Sequence, residues 1–293
     1  MFLVTLSTIT LLLSASVQCT PITHEIRQTP AYEVLPATPA LPSPIDSTQT
    51  FAIDGVQLWY QKYNEAAGGE PIVLIHGGLG YSAYFGDVIT TLSAKHYVIA
   101  IDRRGHGRST YNAGEVFTFD MFASDTYELL QAEGVKSAVY VGWSDGAATT
   151  LASLLNNTIA STISKAFVFA GFQKPEDTNT TFTDTAIYQT FVSRCATEYA
   201  TLQPSADFTD FATRVGTLEA TLPQFTDAQL ATIDGSKVTI AGADKDEAVN
   251  LAVPAHLNSV ILGSSMVMLT EVSHFAPVQD PAQFAQAIEA FLA

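Results

Sequence analysis

The chain has 293 residues, of which 47% are hydrophobic and 14% charged, with a formal net charge of −16. Length and apolar content suit one large α/β domain or two small ones with ample core material, and the acidic excess argues against nucleic acids and anionic membranes as partners. With no phosphate-binding P-loop, no dinucleotide fingerprint and no clustered metal ligands, no cofactor and no metal are expected.

The chain opens on an apolar run from Met1 to Cys19, centred on Leu11-Leu12-Leu13. Thr5, Ser7, Thr8 and Thr10 interrupt it, whereas a membrane anchor needs about 18 unbroken apolar residues. Residues 1–19 are therefore expected to be a secretory signal cleaved after Cys19, and the protein to be secreted. Residues 20–48 hold Pro21, Pro30, Pro36, Pro39, Pro42 and Pro44, a density that predicts an extended linker or loosely packed arm. The chain has two cysteines, Cys19 and Cys195; loss of the leader leaves Cys195 alone, without an intrachain disulfide.

The main domain is expected over 49–293. Pro71-Ile72-Val73-Leu74-Ile75 reads as a buried strand followed by His76-Gly77-Gly78-Leu79-Gly80, and Tyr97-Val98-Ile99-Ala100-Ile101 as another, followed by Asp102-Arg103-Arg104-Gly105-His106-Gly107-Arg108-Ser109. Then comes Gly142-Trp143-Ser144-Asp145-Gly146, between the strand-like Ala138–Val141 and the helix-like Ala147–Leu155. A G-x-S-x-G turn between strand and helix holds its serine in a strained conformation with Oγ exposed, and the glycines remove clashing Cβ atoms. Asn156-Asn157-Thr158 and Asn179-Thr180-Thr181 are candidate N-glycan acceptors.

A serine hydroxyl needs a base, and the base needs an orienting acid. Of six histidines, His274 follows the apolar run Met266–Leu269 and precedes a final helix over about 281–292, so it sits on a loop at the carboxyl end of a strand, where open α/β sheets keep their chemistry. The acid should lie between serine and histidine in chain order. Val238-Thr239-Ile240-Ala241-Gly242 reads as a strand, and Asp244, Asp246 and Glu247 follow it. One of these must be buried against the imidazole; the others are expected as solvated loop charges or as a cap for a helix starting near Ala248.

In this order, serine, acid and histidine, each after a strand, resemble the α/β-hydrolase superfamily in its serine-nucleophile branch. The His76-Gly77 turn and the Asp102–Ser109 turn are similar to two further motifs of that family, and the resemblance covers about residues 51–293. It implies a mostly parallel eight-stranded sheet with helices on both faces. It implies a helical cap from the insertion 174–236, where Ile187, Phe191, Cys195 and Tyr199 recur every four residues on one helix face. The family pattern of strand, two variable residues and Asp-Glu-Ala favours Asp246 as the acid, with Asp244 the second choice. An oxyanion hole is implied from the N–H of Asp145 and of Gly78 or Leu79, while His76 and His106 are expected to be structural. The implied activity is a serine hydrolase with the triad Ser144, Asp246 and His274, cleaving a carboxylic ester or lactone of a small to medium apolar compound. Other chemistry on the same triad, such as C–C or amide cleavage or a lyase, stays open, as does a non-catalytic ligand-binding protein of the same fold. Dehalogenases and epoxide hydrolases of this superfamily carry aspartate where Ser144 stands.

Overall fold

The computed structural model describes residues 29–43, 45–203 and 205–293; the leader expected over 1–19 lies outside them. The elements run β1 (Thr50–Ile53), β2 (Val56–Tyr63), β3 (Ile72–Ile75), α1 (Gly86–Ser93), β4 (Val98–Ile101), α2 (Phe119–Ala132), β5 (Ala138–Trp143), α3 (Asp145–Leu155), α4 (Asn157–Ala160) and β6 (Ile163–Phe169). Then follow α5 (Ala186–Leu202), α6 (Phe208–Thr221), α7 (Asp227–Leu230), β7 (Val238–Ala243), α8 (Val253–Val260), β8 (Ser265–Leu269), α9 (Ala276–Gln279) and α10 (Pro281–Leu292).

The eight strands form one sheet in the order β1-β2-β4-β3-β5-β6-β7-β8. β2 pairs antiparallel with β1 and β4, and every other pair is parallel. β3, β4, β5 and β7 are buried at every residue, which explains why they read as unbroken apolar runs: helices cover both faces of a parallel sheet. α1 packs on α10, and α2 on α3. The β1–β2 hairpin turns at Asp54-Gly55, both at positive φ (48° and 81°), a pair of left-handed residues that matches the strand twist.

Parallel strands send all their carboxyl ends to one edge. In register, Ile75 lies beside Gly142, Trp143 beside Phe169, and Ala243 beside Leu269. The loops after β3, β5, β7 and β8 therefore leave the sheet side by side, although they come from four distant parts of the sequence.

Two details differ from the sequence expectation. No helix starts near Ala248; instead Asp246 Oδ1 accepts from the N–H groups of Ala248 and Val249 at 2.9 and 2.8 Å in a tight turn, and α8 begins at Val253 with Pro254 in its first turn. The described part of the proline-rich arm, 29–43, is not loose either. Leu35 and Leu41 are buried in the core, Gln279 Nε2 donates to the carbonyls of Tyr32 and Val34 at 2.9 and 3.1 Å, and Arg194 donates to those of Leu35 and Pro36. The leucines between the prolines give this segment an apolar face to bury, and its extended backbone leaves carbonyls free to be captured by side chains.

Candidate active site

The turn after β5 puts Ser144 at φ 57° and ψ −118°, a strained conformation for a residue with a side chain. Neighbouring bonds hold it there: Ser144 N–H donates to Phe169 O at 3.0 Å, and Ser144 O accepts from the N–H groups of Ala147 and Ala148. The flanking glycines are steric requirements. A Cβ on Gly142 would lie 2.3 Å from Gly146 O, and one on Gly146 would lie 1.9 Å from Ile75 O. No real Cβ packs so close to a carbonyl, so the elbow exists only with glycine at both places.

His274 arrives on the loop after β8. Its Nδ1 lies 3.1 and 3.2 Å from the two carboxylate oxygens of Asp246, and both side chains are about 95% buried (6% and 5% exposed). Asp246 is itself fixed by the two N–H groups of its turn. Burial alone would lower the imidazole pKa, but the adjacent Asp246 carboxylate outweighs it, with Glu247 and Asp145 adding to the same effect, and the net direction is upward. Asp244, the other aspartate considered, instead pairs with Lys245 at 3.2 Å and is more exposed; among the described residues it makes no hydrogen bond to His274.

Glu247 was expected as a solvated charge or a helix cap and is neither. Its Oε2 accepts from His274 N–H at 3.1 Å and its Oε1 from the Ser273 hydroxyl at 3.2 Å. It thus anchors the backbone of the histidine loop while its neighbour Asp246 holds the ring. Ser144 and His274 line the same two cavities. Among the described residues the serine hydroxyl makes no hydrogen bond to the imidazole; such a contact commonly tightens only when substrate is bound.

The loop after β3 runs directly past the serine: a Cβ on Gly77 would lie 3.2 Å from Ser144 Cβ. Leu79 has φ 58°, an unusual conformation for a branched side chain, and among the described residues the N–H groups of Gly78 and Leu79 have no protein acceptor. Asp145 is the first residue of α3, where the helix leaves N–H groups unpaired and its dipole favours negative charge. Three free N–H groups therefore lie around Ser144.

The loop is held from behind by neutral histidines. His76 Nδ1 donates to Gly77 O at 2.8 Å, and its Nε2 accepts from Arg103 N–H at 3.0 Å. His106 Nδ1 donates to Arg104 O at 2.9 Å, while its Nε2 lies 3.3 Å from Arg103 Nη2. Both rings are fully buried, and burial together with the Arg103 charge holds their pKa values well below normal. Neither has a free nitrogen for a substrate.

Two charged residues at the site had no role in the sequence reading. Arg103 is 2% exposed; its Nη2 donates to Gly77 O at 2.9 Å and lies 3.5 Å from the Asp145 carboxylate. Glu219, near the end of α6, reaches down from the cap beside Gly78, and both it and Tyr188 of α5 line both cavities. One cavity, of about 50 Å³, is walled by Trp143, Phe191 and Phe275 beside the Gly77–Leu79 loop. The other, of about 320 Å³, opens toward Phe172, Thr178, Thr183 and Val249. The position of Arg103 within the Asp102–Ser109 turn was a usable signal for its role; a lone glutamate in a cap helix offers none.

Comparison with known proteins agrees with this architecture. Residues 70–189 match the family model described as alpha/beta hydrolase fold. Among curated proteins, the chain is 37% identical over 105 residues to the human serine hydrolase BPHL, covering 34% of this chain and 35% of that protein. It is 31% identical over 104 residues to the sn-1-specific diacylglycerol lipase ABHD11 of Xenopus tropicalis, covering 35% and 32%. The chain thus matches about a third of the length of these relatives. Among solved structures, the enol-lactonase from Burkholderia xenovorans superposes with a TM-score of 0.65 at 19% identity, covering 83% of this chain and 99% of that one. Sheet order, the strand–turn–helix around Ser144 and the family-model match together show that this chain has the α/β-hydrolase fold.

Proposed function

We propose that the protein is a serine hydrolase that cleaves a carboxylic ester or lactone of a small to medium, largely apolar compound. The observation that carries this reading is His274, held by the buried Asp246, lining the same two cavities as the strained Ser144. In the proposed reaction, His274 removes the proton of Ser144 as Oγ attacks the carbonyl carbon. Asp246 holds the ring so that Nε2 faces the serine, and stabilises the imidazolium that forms. The negative oxygen of the tetrahedral intermediate is held by the N–H of Asp145 and of Gly78 or Leu79; one such donor is worth about 2.7–4 kcal/mol in the transition state. His274 then passes its proton to the leaving alcohol, and next activates a water that releases the acyl group from Ser144. The similarity to a lipase and a serine hydrolase supports hydrolysis as the reaction class.

A fluorophosphonate probe tests this directly. Wild-type protein should be labelled at Ser144, and Ser144→Ala should abolish both labelling and ester turnover. A folded wild-type protein that resists the probe and cleaves no ester would instead be a binding protein on the same scaffold. Secretion belongs to the same proposal, supported by the leader-like residues 1–19 and by the exposed sequon residue Asn156. N-terminal sequencing of protein from the culture medium should begin at Thr20.

A further inference from the structure

The hydrolase reading leaves Glu219 without a task, and its surroundings make that conspicuous. It is carried by α6 of the cap, is half-buried, and lines both cavities at Ser144. Among the described residues no protein group hydrogen-bonds it. A half-buried carboxyl without a protein partner is available to bond a group that enters the cavity.

Its position is defined by Gly78. A Cβ there would lie 2.3 Å from Glu219 Oε1 and 3.0 Å from Asp145 Oδ2, so the two carboxyl groups crowd the same glycine. Gly78 and Asp145 also supply N–H groups proposed to hold the carbonyl oxygen of the substrate. Glu219 therefore stands beside the groups proposed to hold the carbonyl oxygen, and it lines the same 50 Å³ cavity as Trp143, Phe191 and Phe275. That space takes a short acyl chain.

The groups facing Glu219 decide its charge. They are Asp145 and Arg103 beneath it, Tyr188 of α5 and His274 across the cavity. Burial and then the Asp145 carboxylate push the Glu219 pKa well above the usual range, against the weaker opposing pull of Arg103. Asp145 is raised too, by burial, but it has Arg103 3.5 Å away as a counter-ion. A carboxyl oxygen accepts a hydrogen bond in either charge state, and the protonated form also donates. The small group that complements both is a hydroxyl.

Resting on the serine-hydrolase reading, we propose that Glu219 is a specificity-determining residue whose carboxyl group hydrogen-bonds a hydroxyl on the carbon next to the scissile carbonyl, so that the preferred acyl group is a short 2-hydroxy acid. A site built to bond a hydroxyl discriminates against the analogue lacking it, because the protein's own polar group is then left unpaired.

The test compares ethyl 2-hydroxypropanoate with ethyl 2-methylpropanoate, which differ by hydroxyl against methyl at nearly constant shape. Wild-type kcat/KM should favour the hydroxy ester by about tenfold or more. Glu219→Met, of similar length but without hydrogen-bonding groups, should collapse that ratio to near one, and Glu219→Gln, which still donates and accepts, should retain most of it. Fluorophosphonate labelling of Ser144 reports that each variant's site is assembled. A wild-type ratio at or below one, or a ratio unchanged in Glu219→Met, overturns the proposal while leaving the hydrolase reading intact. Labelling at Ser144 without turnover of either ester refutes the substrate class. No labelling and no turnover refute the hydrolase reading itself, and this proposal with it. The wild-type ratio decides the matter even where Glu219→Met does not fold.

Discussion

At the residue scale, the difference between Asp244 and Asp246 shows how position and burial divide two like side chains. They are two residues apart after the same strand, yet one meets Lys245 in a partly exposed pair and the other meets His274 in a buried one. A surface pair contributes little, whereas a buried carboxylate fixing an imidazole sets its tautomer and its basicity. Asp246→Asn should accordingly lower kcat by about 10³–10⁴-fold, while Asp244→Asn should leave it within about twofold; steady-state kinetics on one ester separate the two, and the reverse pattern would reassign the acid. The same pair predicts the pH profile. Only neutral imidazole accepts the serine proton, and the net effect of burial and Asp246 is a His274 pKa above 6.5. Raised pKa means that the protonated, inactive form persists to higher pH. The acid limb of kcat/KM should therefore have its midpoint above 6.5, and activity should still be climbing where an ordinary histidine has already lost its proton. A midpoint below 6.5 would mean that another group governs the limb.

At the scale of elements, what was legible in the sequence is what local sterics require. The turn around Ser144 could be recognised because Gly142 and Gly146 admit no Cβ, and such a demand is written in two letters at fixed spacing. β3, β4 and β5 were legible as apolar runs because both of their faces are covered. The helix face Ile187, Phe191, Cys195 and Tyr199 was legible from its period, and all four are the buried residues of α5. The failures have a common cause in partners distant along the chain. Glu247 looks like a loop charge until Ser273 and the His274 backbone reach it from about 26 residues away. The helix expected near Ala248 begins instead at Val253, with Pro254 in its first turn, because the residues between form a turn on the Asp246 carboxylate. The arm was misjudged because proline density speaks of backbone and not of the leucines between. Leu41 is 6% exposed in the core, so Leu41→Ala should destabilise the fold by about 2–5 kcal/mol in a denaturant titration. An effect under about 0.5 kcal/mol would return residues 29–43 to the status of a loose tether.

At the scale of the whole molecule, the parallel sheet is the device that makes a site from scattered residues. Ser144, Asp246 and His274 span 131 positions in sequence (274 − 144 + 1), yet each follows a strand whose carboxyl end lies at one edge. Chain order alone reveals that convergence; the period of α5 reveals which face of that helix is buried, but neither reveals the shapes of the cavities. Glu219 stands four residues after the buried Val215 and next to the buried Leu218, on the face of α6 turned toward the site, and only the tertiary structure shows that it lines the cavities. In the proposed function this edge attacks a carbonyl with Ser144 and holds the resulting oxygen on backbone N–H groups. A crystal structure of the protein after reaction with a small fluorophosphonate measures that claim most directly. The predicted result is phosphorus bonded to Ser144 Oγ, its phosphoryl oxygen about 2.7–3.1 Å from the N–H of Asp145 and of Gly78 or Leu79, with His274 Nε2 turned toward Oγ. An adduct on any other residue, or a phosphoryl oxygen pointing away from those N–H groups, would contradict it.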